Sequence, residues 1–497
     1  MYRSVKAIAV NLIVPSMTFG LLPTIGAERE SAPLNASGSA YACRQDIHPQ
    51  DPNFPGVHVA SLAQAPNGDL LYSFYAGSQE GADDVKTYMS RLAAGTNTWT
   101  LPEVVFDGPG FPDGNAVLWT DERNGKVQLL FSTIRGSGWA TADLRLITST
   151  DNGETWSEPR YVRKEWGWLF GIRPFRMTNG DVIVPIYSEA RWASGWYVST
   201  DDLETLTPYP SSDDTTWPRS LQGMIQPATV ELDPGHLLAF NRTRDSFIWR
   251  TESFDYGRTW TRAIPTTLPN NNSRLALLKL DNGHLILADN PTFSDRTPLR
   301  LSLSTDGGIT WPYSVDVETE PGAEFSYPYL LQTADNMIHL GYTHRRQSMR
   351  HVVFNEEFIR SGADIPSDPR FDVKDEYSNG QLHDVTTCQY APRATKPNLT
   401  PTGLTVTQRK PDQATVTAVI TNNGASDARD VTVQFLDGET VIGEISPVDI
   451  AQGQSVQVFV IWDTDNIKGE HLITARVDPN HDIAEMNETD NSISKAA

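Results

Sequence analysis

Over roughly the first 360 residues, apolar and polar positions alternate in short runs, and each run stops at a turn signal. The clearest case is Leu299, Leu301 and Leu303 running into Ser304-Thr305-Asp306-Gly307-Gly308-Ile309-Thr310-Trp311. Period-two alternation predicts a strand, Asp with paired Gly predicts a tight turn of positive φ, and Thr-Trp opens the next strand. The same spacing recurs in Ser149-Thr150-Asp151-Asn152-Gly153-Glu154-Thr155-Trp156 and in Ser253-Phe254-Asp255-Tyr256-Gly257-Arg258-Thr259-Trp260. Ser199-Thr200-Asp201-Asp202 begins a fourth copy that lacks the Gly and the Trp.

Between these hairpins, a turn of Asn/Asp/Gly type followed by an apolar strand occurs six times, at Asn67-Gly68, Asn124-Gly125, Asn179-Gly180, Pro234-Gly235, Asn282-Gly283 and Asp335-Asn336. A period of roughly 50 residues signals a closed array, so residues 46–360 are expected to form a six-bladed β-propeller of four-stranded blades. A sandwich of many short strands is the competing architecture, and the evenness of the period speaks against it. Residues 361–396, with Pro366, Pro369 and Pro392, read as a linker or strap. From 397 to 497 the chain changes: Thr alternates with Val and Ala, aromatics nearly vanish, and turns recur at Asn422-Asn423-Gly424 and Leu436-Asp437-Gly438. That pattern predicts a small immunoglobulin-like β-sandwich, and the whole chain is expected to be all-β.

Residues 1–27 carry Arg3 and Lys6, an apolar stretch and a small-residue end at Ala27, the pattern of a secretory signal peptide; 28–45 then form a loose lead. The expected location is therefore periplasmic or secreted, with no later stretch apolar enough to span a bilayer. A net charge of −22 argues against nucleic acid as a partner, because the mean field repels phosphate. Cys43 and Cys388 are the two cysteines. In an oxidising compartment a bridge between them would tie the first blade region to the segment beyond the last; two free thiols are the alternative.

In a propeller the innermost strands line the axis, so their starts ring one mouth. About nine or ten residues before the turns stand His58, Asn115, Gln226, Ser273 and Tyr327, with Arg173 a little closer to its turn. Buried strand starts normally repeat apolar residues, so a polar set at equivalent starts points to a site. Loops after the second strands add Glu80, Asp83, Asp84, Arg135, Glu189, Arg191, Arg242, Arg244, Arg296, Arg345 and Arg346. Positive residues thus gather on one rim of an acidic protein, which points to an anionic ligand held by arginine forks. No Zn-type Cys/His cluster is visible, and no cofactor is expected; a structural Ca²⁺ among loop carboxylates is compatible with the sequence.

The Ser-x-Asp-x-Gly-x-x-Trp hairpins, with Gly223-Met224-Ile225-Gln226-Pro227, Arg296-Thr297-Pro298-Leu299 and Ser326-Tyr327-Pro328-Tyr329-Leu330, resemble the sialidase superfamily of Asp-box propellers. The C-terminal hundred residues resemble the bacterial cell-adhesion-related sandwich module in Thr421-Asn422-Asn423-Gly424, Ala475-Arg476-Val477-Asp478-Pro479 and Glu485-Met486-Asn487-Glu488-Thr489-Asp490-Asn491. The module implies spacing, anchoring, or contact with a cell surface or glycan. The sialidase resemblance implies three arginines on the substrate carboxylate, a tyrosine nucleophile assisted by a glutamate, and an acid/base aspartate. By position Tyr327 resembles the nucleophile, Arg296 the third arginine, Arg242 or Arg244 the second, and Glu80 or Asp84 the acid/base. Two departures stand out: Val57-His58-Val59 where the first arginine belongs, and Gln226 in place of the glutamate.

The expected function is therefore a glycoside hydrolase acting beside an acidic sugar of sialic or uronic acid type, with Glu189 as a further carboxylate at the substrate. A polysaccharide lyase is the alternative: Arg173 with Gln226 or Asn115 would neutralise a uronate, and His58 or Tyr327 would remove the adjacent proton. A glycan-binding propeller without catalysis is the third reading.

Overall fold

The computed structural model describes residues 39–48, 55–164, 166–210, 219–365, 388, 390–392, 396–410, 412–465 and 469–496. The expected signal peptide, and most of the expected lead and strap, lie outside these residues. The described chain is all-β, with one short α-helix at Glu356–Ser361 and two 3-10 turns, Trp139–Thr141 and Arg219–Leu221. None of its helices is long and apolar enough to cross a membrane.

Six antiparallel sheets follow one another along the N-terminal part. Their innermost strands are Gly56–Gln64, Asp113–Thr120, the broken pair Trp168–Leu169 and Phe175–Arg176, Met224–Asp233, Ala276–Lys279 and Phe325–Gln332. The inner strands of the first and second, fourth and fifth, fifth and sixth, and sixth and first sheets touch, and the third sheet meets the second through Trp168–Leu169 and the fourth through Val182–Ser188, so the sheets close around a common axis as a β-propeller. These strands are buried on both faces and read as runs of Val, Leu, Ile and Ala, because neighbouring sheets cover them from either side.

The sixth sheet closes in a way the sequence pattern does not announce. Its outermost strand is Ala42–His48, from the N-terminal end, paired antiparallel with Ser348–Phe354. Cys43 on that strand is disulfide-bonded to Cys388, the bridge that the two cysteines allowed.

The four hairpins share one hydrogen-bond pattern. In the last copy, Ser304 Oγ donates to Asp306 Oδ1 at 2.7 Å and accepts from Gly308 N at 2.9 Å. Thr310 donates through both its amide and its hydroxyl to the Asp306 carboxylate. These donors hold that carboxyl down at about 2. The worn copy keeps the same bonds, from Ser199, Asp201 and Thr205, although Leu203 stands where the others have Gly. Leu203 consequently sits at φ 69°, a left-handed conformation strained for a side chain with a Cβ.

Beyond the propeller, strands of three and four form two sheets around a separate core that includes Val416, Ile420, Val433, Phe435, Ile473 and Val477.

The sixth sheet buries two stacked histidines: His339 Nδ1 lies 2.8 Å from His351 Nε2, and the rings are nearly parallel. Burial pulls His339 down to about 3 and His351 well below the ordinary histidine value. Both are neutral in the folded protein, whereas the unfolded chain takes up protons below about pH 6.5. Stability is therefore fully present above that pH and falls by about 1.4 kcal/mol per pH unit per histidine as the pH drops toward the folded values. Urea midpoints compared at pH 7.5 and pH 5 check this; equal midpoints would contradict it.

Candidate functional site

At one end of the axis the inner strands share a device. In the first, second, fourth and sixth sheets the ladder skips at His58/Ser61, Gly114/Val117, Ile225/Ala228 and Ser326/Tyr329. Each bulge holds a non-glycine residue of positive φ: Val59 at 65°, Asn115 at 49°, Gln226 at 55° and Tyr327 at 55°. A bulge re-aims a side chain out of the ladder, and here the repeated bulge turns polar residues toward the axis. Three of the polar strand starts noticed in the sequence, Asn115, Gln226 and Tyr327, are these positions, and His58 precedes Val59 in the first bulge; Ser273 and Arg173 are not among them.

Tyr327 is the centre of the cluster. Its Oη accepts from Arg242 Nη1 at 2.8 Å, and Arg242 also donates to Gln226 Oε1 at 3.1 Å and to Asn272 Oδ1 at 2.9 Å. Gln226 Nε2 and Asn115 Nδ2 both donate to Tyr187 Oη, at 3.2 and 3.3 Å. The guanidinium of Arg296 lies 5.5 Å from the Tyr327 ring centroid, and that of Arg274 lies 4.9 Å from it. Arg296 donates to Glu324 Oε1 at 2.6 Å, and Arg346 reaches the same oxygen at 2.9 Å. These two arginines hold the Glu324 carboxyl below its usual range against the opposing effect of burial. Arg346 also pairs with Glu80, whose other oxygen accepts from Trp139 Nε1 at 3.0 Å.

His58, Gln226, Arg242, Arg296 and Tyr327 thus converge as the sequence predicts, and Asn115 joins them through Tyr187. Four expectations need correction. His58 is in the cluster but covered: its ring lies 4.2 Å from that of Tyr327, Nδ1 meets Thr343 Oγ1 at 2.8 Å, and Nε2 is buried without a partner. Burial, then Arg346, Arg296, Arg274 and Arg242, pull His58 well below the ordinary histidine value. It packs against Tyr327 and is 2% exposed. Asp84 accepts from Ser78 N and Ser78 Oγ, and so braces its own loop. Arg244 is stacked on Trp192, 3.5 Å from the ring centroid, rather than bonded to Tyr327 as Arg242 is.

Arg173 lies on the wrong side of a plug. That plug is Arg274, fully buried, whose guanidinium donates to the carbonyls of Gly171, Ala60, Tyr327 and Pro328 at 2.9 to 3.3 Å. It seals the axis beneath the mouth. Arg173 lines two adjoining axial cavities of about 200 and 370 Å³, formed by residues further along the inner strands such as Tyr329, Thr229 and Leu331. Its offset toward the turn was the sequence signal for this.

Trp168 and Trp196 are core residues, the latter stacked on Trp260 with ring centroids 3.6 Å apart, whereas Trp166 is 60% exposed.

For a metal, Asp478, Glu485 and Glu488 in the C-terminal part bring carboxylate oxygens within 4.8 Å of one another. They already accept from the amides of Ile483, Leu399 and Glu485, two of these bonds closing their own loop and the Leu399 bond tying it to the strand Leu399–Lys410.

A family model described as a BNR repeat-like domain matches residues 68–340, more than half of the chain, and the CARDB model matches 396–495. This chain belongs to the BNR repeat-like family. This BNR repeat-like protein is 24% identical over 354 residues to a sialidase of Bacteroides fragilis (strain YCH46), covering 62% of this chain and 63% of the relative. It is 25% identical over 227 residues to the anhydrosialidase of Macrobdella decora, covering 40% of this chain and 29% of that one. The aligned part thus spans less than two thirds of either curated relative. Among solved structures, the Hadza microbial sialidase Hz136 superposes with a TM-score of 0.54 at 20% identity, over 64% of this chain and 69% of that one, a likeness of fold.

Proposed function

We propose that this BNR repeat-like protein is a secreted glycoside hydrolase of exo-α-sialidase type, cleaving a glycosidic bond beside an acidic sugar. The observation that carries the reading is the Tyr327 phenol, hydrogen-bonded to Arg242 and flanked by Arg296 at the mouth of a propeller with net charge −22. Guanidiniums concentrated there reverse the field locally and suit a sugar carboxylate. In this reading Tyr327 faces the anomeric centre, Arg242 and Arg296 orient the carboxylate with Arg244 and Arg346 beside them, and the carboxylates Glu80 and Glu189 serve proton transfer. Residues 1–27 act as the signal peptide, the six sheets of 46–360 as six blades, and the Ig-like sandwich of 397–497 contacts a cell surface or glycan.

A second reading, a polysaccharide lyase, is favoured by one observation: among the described residues no carboxylate hydrogen-bonds Tyr327, and Gln226 occupies the place of the expected glutamate. In that case Tyr327 would remove the proton beside a uronate carboxylate, and the β-oxygen would leave. The purified protein is tested on sialosides and on uronate-containing polysaccharides, reading both reducing ends and ultraviolet absorbance from a new double bond. New reducing ends without absorbance support the hydrolase, absorbance supports the lyase, and glycan retention without product would leave a binding protein. With the substrate so found, Arg296→Ala is expected to raise KM about tenfold or more while moving the melting temperature little, since its partner Glu324 keeps Arg346 and Ser326. Equal loss of stability and activity would place Arg296 in a structural role.

A further inference from the structure

Hydrolysis in the hydrolase reading needs a protonated carboxyl beside the leaving oxygen, and the carboxylates at the mouth are not equivalent. Asp84 is bound by Ser78. Glu80 is held by Arg346 and Trp139, and Glu324 by Arg296, Arg346 and Ser326. Both of these carboxylates are already taken by arginine donors. Glu189 differs. It follows Tyr187 and Ser188 at the end of the strand Val182–Ser188, is half-buried, and among the described residues makes no hydrogen bond or ion pair.

We infer that Glu189, not an acid of the Glu80–Asp84 loop, donates the proton to the departing glycosidic oxygen. The inference rests on the hydrolase reading above. Its surroundings agree. Arg242, which bonds Tyr327, and Arg244, stacked on Trp192, act on it electrostatically from the fourth sheet, and Glu80 from the first; Tyr187, which accepts from Gln226 and Asn115, precedes it on its own strand. Burial, with a smaller push from Glu80, outweighs the two arginines and raises its carboxyl above the usual range, the direction a general acid requires. In the step, the Glu189 Oε–H bond breaks and the proton passes to the glycosidic oxygen. The bond from that oxygen to the anomeric carbon breaks with its electron pair on the oxygen. Water adds to the anomeric carbon and returns one proton to the Glu189 carboxylate, so that one water is consumed and the acid is restored.

The test compares leaving groups. Glu189→Gln and Glu80→Gln are assayed on 3′-sialyllactose against 4-methylumbelliferyl sialoside, and on a glucuronyl disaccharide against 4-nitrophenyl glucuronide. A phenolate leaves without help and a sugar alkoxide does not, so Glu189→Gln is expected to lower kcat about 10²- to 10³-fold on the sugar-linked substrate and less than about fivefold on the aryl one. It should also remove the fall in kcat at alkaline pH, because the wild-type acid works only while protonated. A structural role would slow both substrates alike. Equal losses on both substrates, or no loss, overturn the inference. Leaving-group-selective loss in Glu80→Gln instead assigns the acid to Glu80 and leaves the hydrolase reading standing. Wild-type protein that cleaves none of the four, or releases an unsaturated product, overturns both.

Discussion

Tyr327→Phe is expected to leave a folded protein whose turnover is lower by a factor on the order of 10³. The substitution removes one atom. The ring still packs on His58 at 4.2 Å and against the Arg296 and Arg274 guanidiniums. Arg242 loses its 2.8 Å bond to Oη but keeps Gln226 and Asn272, so the cost to stability is about 1 kcal/mol, the worth of one hydrogen bond. The chemistry loses the oxygen that, in either catalytic reading, faces the sugar. Progress curves on the substrate identified by the screen, with urea unfolding of the same preparation, measure both quantities. Activity within tenfold of wild type would remove Tyr327 from the reaction.

The second large effect is on stability. Arg274→Met replaces a fully buried guanidinium that donates to carbonyls of the first, third and sixth sheets from a position just before the inner strand of the fifth. Two terms oppose each other. Methionine removes the cost of a buried charge, which burial already marks by pulling the Arg274 pKa down. It also strands four carbonyls at a site shaped for donors, each costing roughly 1–3 kcal/mol. The carbonyls outnumber the charge, and the net expectation is a loss of about 3–5 kcal/mol in unfolding free energy. Activity should fall too, because one of the released carbonyls belongs to Tyr327. A variant within 1 kcal/mol of wild type would mean that the axis is held shut by the sheets alone.

The part of this arrangement that can be read from residues is the part governed by local periodicity. The spacing of Ser304, Asp306, Gly308 and Thr310 is a hydrogen-bond pattern written in four residues, so its copies identify the hairpins. Position relative to the turns likewise brings His58, Gln226 and Tyr327 to one end. What resists reading depends on contacts between residues far apart. Ala42–His48 pairs with Ser348–Phe354 and carries no turn signal of its own. Arg274 works through backbone carbonyls of other sheets, which leave no trace in side-chain chemistry. Arg346 matters because Glu324 and Glu80 from two different sheets meet it. The depth of Arg173 could be decided only once the plug above it was known, and the covering of His58 only once the Tyr327 ring was placed.

The pairing of the first described strand with the last of the ring has a consequence for how the polypeptide is made. Cys43 must find a partner 345 positions later. This first described strand therefore leaves the ribosome with an open edge and keeps it until nearly all of the ring has been translated. A chain stalled anywhere short of Ser348–Phe354 exposes a ready template for pairing with another copy, so truncated products of this gene should aggregate where the full-length one does not.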